Sequence, residues 1–226
     1  MAPAEAAGPA GLVIFDLDGV LVDSRAAITT CINHALLATG QAGRDLTELE
    51  RFVGPPLAEA FAELAGVEVA DPLVEACIAA YRERYADDMV PLSRPFAGIP
   101  EVLAALSARH RLVVATSKPR AFALRLLEGH ALLPWFAHVE GPGLDRRTEH
   151  KAETIARALQ VGGPSGPAVM IGDRAFDVRG AHANGLPCIG VLWGIGDEAE
   201  LAGAGASALV VGAADLPAAI GQVLAR

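Results

Sequence analysis

Asp16 and Asp18 stand two residues apart in the stretch "GLVIFDLDGVLVDS" (11–24), directly after four apolar residues, Leu12–Phe15. Carboxylates this close repel one another unless a cation lies between them. A lysine, a proton or a metal ion would serve. Two other apolar runs end on residues that could join such chemistry. Residues 112–115 lead into Thr116, Ser117 and Lys118, and residues 168–171 lead through Gly172 to Asp173, Arg174 and Asp177. Lys151 opens a helical pattern between them.

Each of these residues alone is ordinary. An Asp at a strand end forms turns or caps helices, Thr116 and Ser117 precede Pro119 as N-caps do, and a lone lysine is usually solvated. Four carboxylates gathered at one edge are not ordinary, because together they need a cation. A calcium loop is a poor match: an EF-hand places its Gly sixth, whereas Gly19 is fourth and Val20, Leu21 and Val22 follow. There is no GxxxxGK[ST] run to form a phosphate-binding P-loop.

What would bring these residues together is a parallel sheet. Residues 12–15, 112–115, 168–171, 188–192 and 208–211 are short apolar runs, several without polar alternation, as suits strands covered on both faces. Helical patterns lie between them: "GIPEVLAALSARH", "HKAETIARALQ", "DVRGAHANG" stopping at Gly185, "DEAELAGAG" and a closing "DLPAAIGQVLA". The alternation predicts an α/β fold with a doubly wound parallel sheet, whose ligands bind beyond the C-terminal ends of the strands. From Ser24 to about Leu92 the rhythm breaks into helices alone, with Asp71-Pro72 as an N-cap and first-turn proline. The expected organisation is a tail over 1–10, an α/β core over 11–19 and 93–226, and an inserted all-helical cap over 20–92. Arg51 and the "VGPPL" turn at 53–57 are expected to be structural, and Lys118 falls between pocket rim and surface.

The chain has 226 residues and a formal net charge of −9, which disfavours nucleic acid and anionic membranes as partners. No apolar run reaches the roughly 18 residues needed to span a bilayer. The N-terminal "MAPAEAAGPA" has no Lys or Arg and no apolar stretch, so it reads as a frayed tail and not as a signal peptide. Cys31, Cys77 and Cys188 form no CxxC pair; buried, reduced thiols and a cytoplasmic location are expected. Oligomeric state is not legible.

The residues also carry a resemblance. "DLDGVLVDS" looks like the first signature of the haloacid dehalogenase-like (HAD) hydrolases, and "VVATSKP" resembles their second. Lys151 in "RTEHKAETI" fits the third, and "VMIGDRAFD" fits the fourth, GDxxxD. The helical insert is similar to the cap of the phosphoglycolate phosphatase-like subfamily. The resemblance implies a Rossmann-like core and a Mg²⁺-dependent phosphatase acting on a small phosphomonoester such as phosphoglycolate, a nucleotide or a sugar phosphate. It implies Asp16 as nucleophile, forming an aspartyl-phosphate, and Asp18 as general acid and base. Asp16, the Asp18 backbone carbonyl and Asp173 would hold Mg²⁺, with Asp177 in support. Thr116, Ser117, Lys118 and Lys151 would meet the phosphate or the rest of the substrate. Asp18 favours phosphoryl transfer, because dehalogenases of this fold lack the second aspartate. A phosphosugar mutase on the same fold and a non-catalytic binding protein are the alternatives.

Overall fold

A computed structural model describes residues 11–144, 150–163 and 166–225. Six parallel strands form the main sheet: β1 (Leu12–Phe15), β4 (Arg111–Ala115), β5 (His138–Glu140), β6 (Ala168–Gly172), β7 (Cys188–Val191) and β8 (Ala208–Val210), in the order β5-β4-β1-β6-β7-β8. The five apolar runs are all strands, with ends shifted by a residue, as helix and strand termini commonly are. The sixth strand, β5, was not anticipated. It is a three-residue edge strand, His-Val-Glu, of which only Val139 is buried, so it carries no apolar run.

Strand side chains alternate between the two faces. Val13, Phe15, Val114, Val169 and Ile171 pack into one apolar layer with helices α5 (Ile99–Ser107), α6 (Arg120–Gly129) and α10 (Leu216–Leu224). Leu12, Ile14, Val113, Ala115 and Met170 pack into the other with α7 (Lys151–Gly162), α8 (Ala175–Ala183) and α9 (Glu198–Gly203). Helices on both faces explain why these strands read as unbroken apolar runs. Of the helices, α6 also lay outside the sequence expectation.

Between β1 and β4 the chain contributes no strand to the main sheet. It forms α1 (Arg25–Ala38), α2 (Leu46–Leu49), a 3₁₀ turn at Glu50–Phe52, α3 (Leu57–Ala65) and α4 (Pro72–Asp88). Asp71 caps α4 by accepting from the Leu73 amide at 2.8 Å, and Pro72 takes the first helical position, as the sequence suggested. The range read as helices alone, Ser24 to about Leu92, holds no strand, and a short strand pair flanks it. A two-residue β2 (Val22–Asp23) pairs antiparallel with β3 (Arg94–Pro95), tying the chain entering the helices to the chain leaving them. The apolar layer continues from the sheet into α1 and α4. Cys31, Cys77 and Cys188 are buried thiols. The expected tail, residues 1–10, lies outside the described residues.

Candidate active site

β1 lies between β4 and β6, in register: Phe15 faces Val114 on one side and Ile171 on the other. The residues that follow these three strands therefore emerge side by side at the C-terminal edge of the sheet. The Asp16 amide still donates to Ile171 O at 2.9 Å, so its side chain leaves from the last rung of the ladder. Thr116 is anchored likewise, its amide donating to Glu140 O at 3.0 Å. Both side chains are buried.

Three carboxylates converge here. Asp16, Asp173 and Asp177 each offer an oxygen, and these oxygens lie within 4.8 Å of one another. Lys151, buried at the start of α7, places Nζ 2.7 Å from Asp16 Oδ1 and 2.7 Å from Asp177 Oδ1. The second Asp177 oxygen accepts from the amides of Asp173 (3.2 Å) and Arg174 (3.0 Å) at the start of α8, so Asp177 is held by backbone as well as by charge. Asp173 Oδ2 accepts from the Ile195 amide at 2.8 Å, whereas the buried Oδ1 has no hydrogen-bond partner.

One lysine does not balance this charge. Burial above all, then the Asp177 and Asp18 charges, pushes the Asp16 carboxyl up to about 6, against the pull of Lys151. Burial, then Asp177 and Asp16, raises Asp173 well above the carboxylate range. For Lys151, burial alone would lower the ammonium pKa, but Asp16 and Asp177 outweigh it and raise it. The deficit, the unpartnered Asp173 oxygen and the all-oxygen donor set fit a hard divalent cation. Glycines leave space around Asp173: a Cβ on Gly19 would meet Asp173 Oδ2 at 2.1 Å, and one on Gly194 would meet it at 2.4 Å.

The Asp18 carboxylate points elsewhere. It accepts from the Ser24 hydroxyl and pairs with Lys118 Nζ at 2.8 Å, and Lys118 also donates to Tyr85 Oη at 2.8 Å. Asp18 thus stands outside the carboxylate trio, and only its backbone carbonyl remains for the expected metal role. Lys118 is buried, which removes the surface reading. The Thr116 hydroxyl accepts from the Lys118 amide at 3.1 Å.

Asp16, Asp18, Thr116, Ser117 and Lys118 line a pocket whose other wall comes from the helical segment: Phe52, residues 54–58, Ile78, Tyr81, Arg82 and Tyr85. The 53–57 turn thus reaches the site more directly than expected, whereas Arg51 turns outward to Glu63, at 2.6 Å. Tyr85 and Arg82 were missed by sequence reading. Their signal was present: 78, 81, 82 and 85 share one helical stripe.

The sequence profile of the haloacid dehalogenase-like hydrolases matches residues 13–191. The chain belongs to that family. Among curated relatives of this HAD-like hydrolase is a 5'-nucleotidase of Pseudomonas aeruginosa, 41% identical over 191 residues, covering 84% of this chain and 86% of the relative. A phosphoglycolate phosphatase of Agrobacterium fabrum is 35% identical over 196 residues, covering 82% of each. The crystal structure of a predicted phosphatase from Clostridium acetobutylicum superposes with a TM-score of 0.88 at 35% identity, covering 95% of this chain and 99% of that one. The expected class, an enzyme of the HAD phosphatases that hydrolyse phosphoric monoesters, agrees with these relatives.

Proposed function

We propose that this HAD-like hydrolase is a Mg²⁺-dependent phosphatase that cleaves a small phosphomonoester through a phosphoaspartate at Asp16. One observation carries the reading: a buried Asp16 at the end of the central strand, paired with Lys151 at 2.7 Å and facing two further carboxylates with one oxygen unpartnered. Mg²⁺, bound by Asp16, Asp173 and the Asp18 carbonyl with Asp177 in support, would supply positive charge against the phosphoryl oxygens. Asp16 Oδ attacks phosphorus while the ester oxygen departs and takes a proton from the Asp18 carboxyl. A water then attacks the phosphoaspartate, Asp18 takes its proton, and inorganic phosphate leaves with Asp16 restored. Thr116 donates to a phosphoryl oxygen. Lys151 holds negative charge in place, with Ser117 at the rim, while Lys118 stays paired with Asp18.

The helical unit over 20–92 is assigned the cap: it carries one wall of the pocket and joins the core through the β2–β3 pair. A small-molecule ester and a cytoplasmic location complete the reading, the latter supported by three buried thiols. The test is phosphate release from p-nitrophenyl phosphate with Mg²⁺, before and after chelation, combined with mass spectrometry of acid-quenched protein. Reversible loss of turnover on chelation and a phosphoryl group on Asp16 are expected. Full turnover in excess EDTA would defeat the metal assignment.

A further inference from the structure

We propose that Arg82 determines substrate choice by binding a second oxyanion, a carboxylate or phosphate carried on the alcohol portion of the substrate. The inference rests on the phosphatase reading and narrows its substrate class. Arg82 lies on the stripe of α4 formed by Ile78, Tyr81 and Tyr85, all three buried, and it lines the same pocket as Asp16 and Thr116. A guanidinium is always charged and has five N–H donors and no acceptor, so it is out of place on an apolar stripe without a partner.

No partner for Arg82 is found among the described residues, and its buried Nε has no hydrogen-bond acceptor. Three other arginines of this region are paired. Arg25 pairs with Asp23, Arg51 with Glu63 and Arg84 with Asp88. The pocket's lysine is committed too, since Lys118 holds Asp18 and Tyr85. Lys151 is held between Asp16 and Asp177. Among the described residues, Arg82 is thus the cation at this pocket with hydrogen bonds to give. Leaving a buried donor unpaired is unfavourable, and an arriving oxyanion would satisfy it. Phe52, Leu57, Ile78 and Phe122 make the surrounding wall apolar, which offers little to an alcohol dense in hydroxyls. The geometry favours a short carbon arm ending in negative charge.

The experiment uses matched probes: ethyl phosphate against 2-phosphoglycolate, and propyl phosphate against both 3-(phosphonooxy)propionate, the phosphate ester of 3-hydroxypropionate, and propane-1,3-diol bisphosphate. In the wild type the charged arm should raise kcat/KM by about tenfold or more, the size of one charge-assisted hydrogen-bonding contact. The carboxylate and phosphate arms decide which oxyanion is taken. In Arg82→Gln and in Arg82→Met that preference should collapse towards unity, chiefly through KM, while Arg82→Lys keeps part of it. A wild type indifferent to the charged arm would overturn the proposal. So would a preference that survives in both variants, or an equal loss for charged and uncharged esters. If the wild type turns over no ester, p-nitrophenyl phosphate included, the phosphatase reading has failed. Calorimetric binding of 2-phosphoglycolate and ethyl phosphate to wild type and Arg82→Gln then decides on Arg82: loss of a wild-type preference for the acid supports it, and equal binding overturns it.

Discussion

Lys151 occupies the first position of α7, where the helix dipole disfavours a cation unless an anion faces it. Two anions do, and the ammonium is buried between them. Lys151→Ala should therefore lower kcat by about 10²-fold or more, comparable to losing a donor to developing charge, with the far-UV circular dichroism retained. Near-normal turnover would leave Lys151 a purely structural counter-ion. The aspartate pair should fail in two distinct ways. Asp16→Asn should form no phosphoenzyme. Asp18→Asn should keep metal binding and lose general acid–base help, typically worth about 10²–10⁴ in rate. With p-nitrophenyl phosphate, whose leaving group needs little protonation, this variant should accumulate phosphoaspartate at position 16. Mass spectrometry after quenching distinguishes the two, and undiminished turnover in both would place the active site elsewhere.

The turn between β1 and β2 works at the scale of an element. Gly19 has φ +84°, and its missing Cβ leaves the space that Asp173 Oδ2 occupies. Gly40, after α1, has φ +78°, and a Cβ there would meet nothing within 4 Å. The two glycines separate backbone strain from site geometry. Each substitution to Ala should cost about 1–2 kcal/mol for the left-handed backbone. Gly19→Ala should in addition displace Asp173 and lose metal-dependent turnover, which Gly40→Ala should keep. Thermal melts and phosphatase assays on both variants check this. Equal activity would mean that the turn tolerates a side chain against Asp173.

For the whole molecule, the crowded carboxylates couple stability to pH and metal. Asp16 is raised from 3.8 to about 6, so between these values the folded protein binds more protons than the unfolded chain. Its contribution to stability is therefore greatest below about pH 4 and is lost as pH rises through about 6. Relative to Asp16→Asn, the metal-free wild type should lose stability over this window, and denaturant titrations at pH 4, 5, 6 and 7 measure the difference. A parallel pH dependence in both proteins would contradict the burial of Asp16 as an unbalanced charge. Mg²⁺ at about 100 times its Kd should restore about 2.7 kcal/mol at pH 7, a rise in Tm of about 5–10 °C.

Much of this was legible before any coordinates. The runs at 12–15, 112–115 and 168–171 are apolar at every position because both faces of their strands are covered, and that pattern survives in one dimension. The residues that follow them, Asp16, Thr116 and Asp173, could then be placed at a common edge, because parallel strands all end on the same side. Lys151 was harder: its role depends on a helix crossing to reach Asp16 and Asp177, and only the fold supplies the 2.7 Å contacts. Lys118 and Arg82 carry identical formal charge in the sequence, yet tertiary structure ties one to Asp18 and Tyr85 and leaves the other's Nε without an acceptor. Local pattern records which face of an element is buried. It does not record what a distant element brings to that face, so sequence determined the five apolar strands and the residues that follow them, and packing decided which charges are spent and which remain for a substrate.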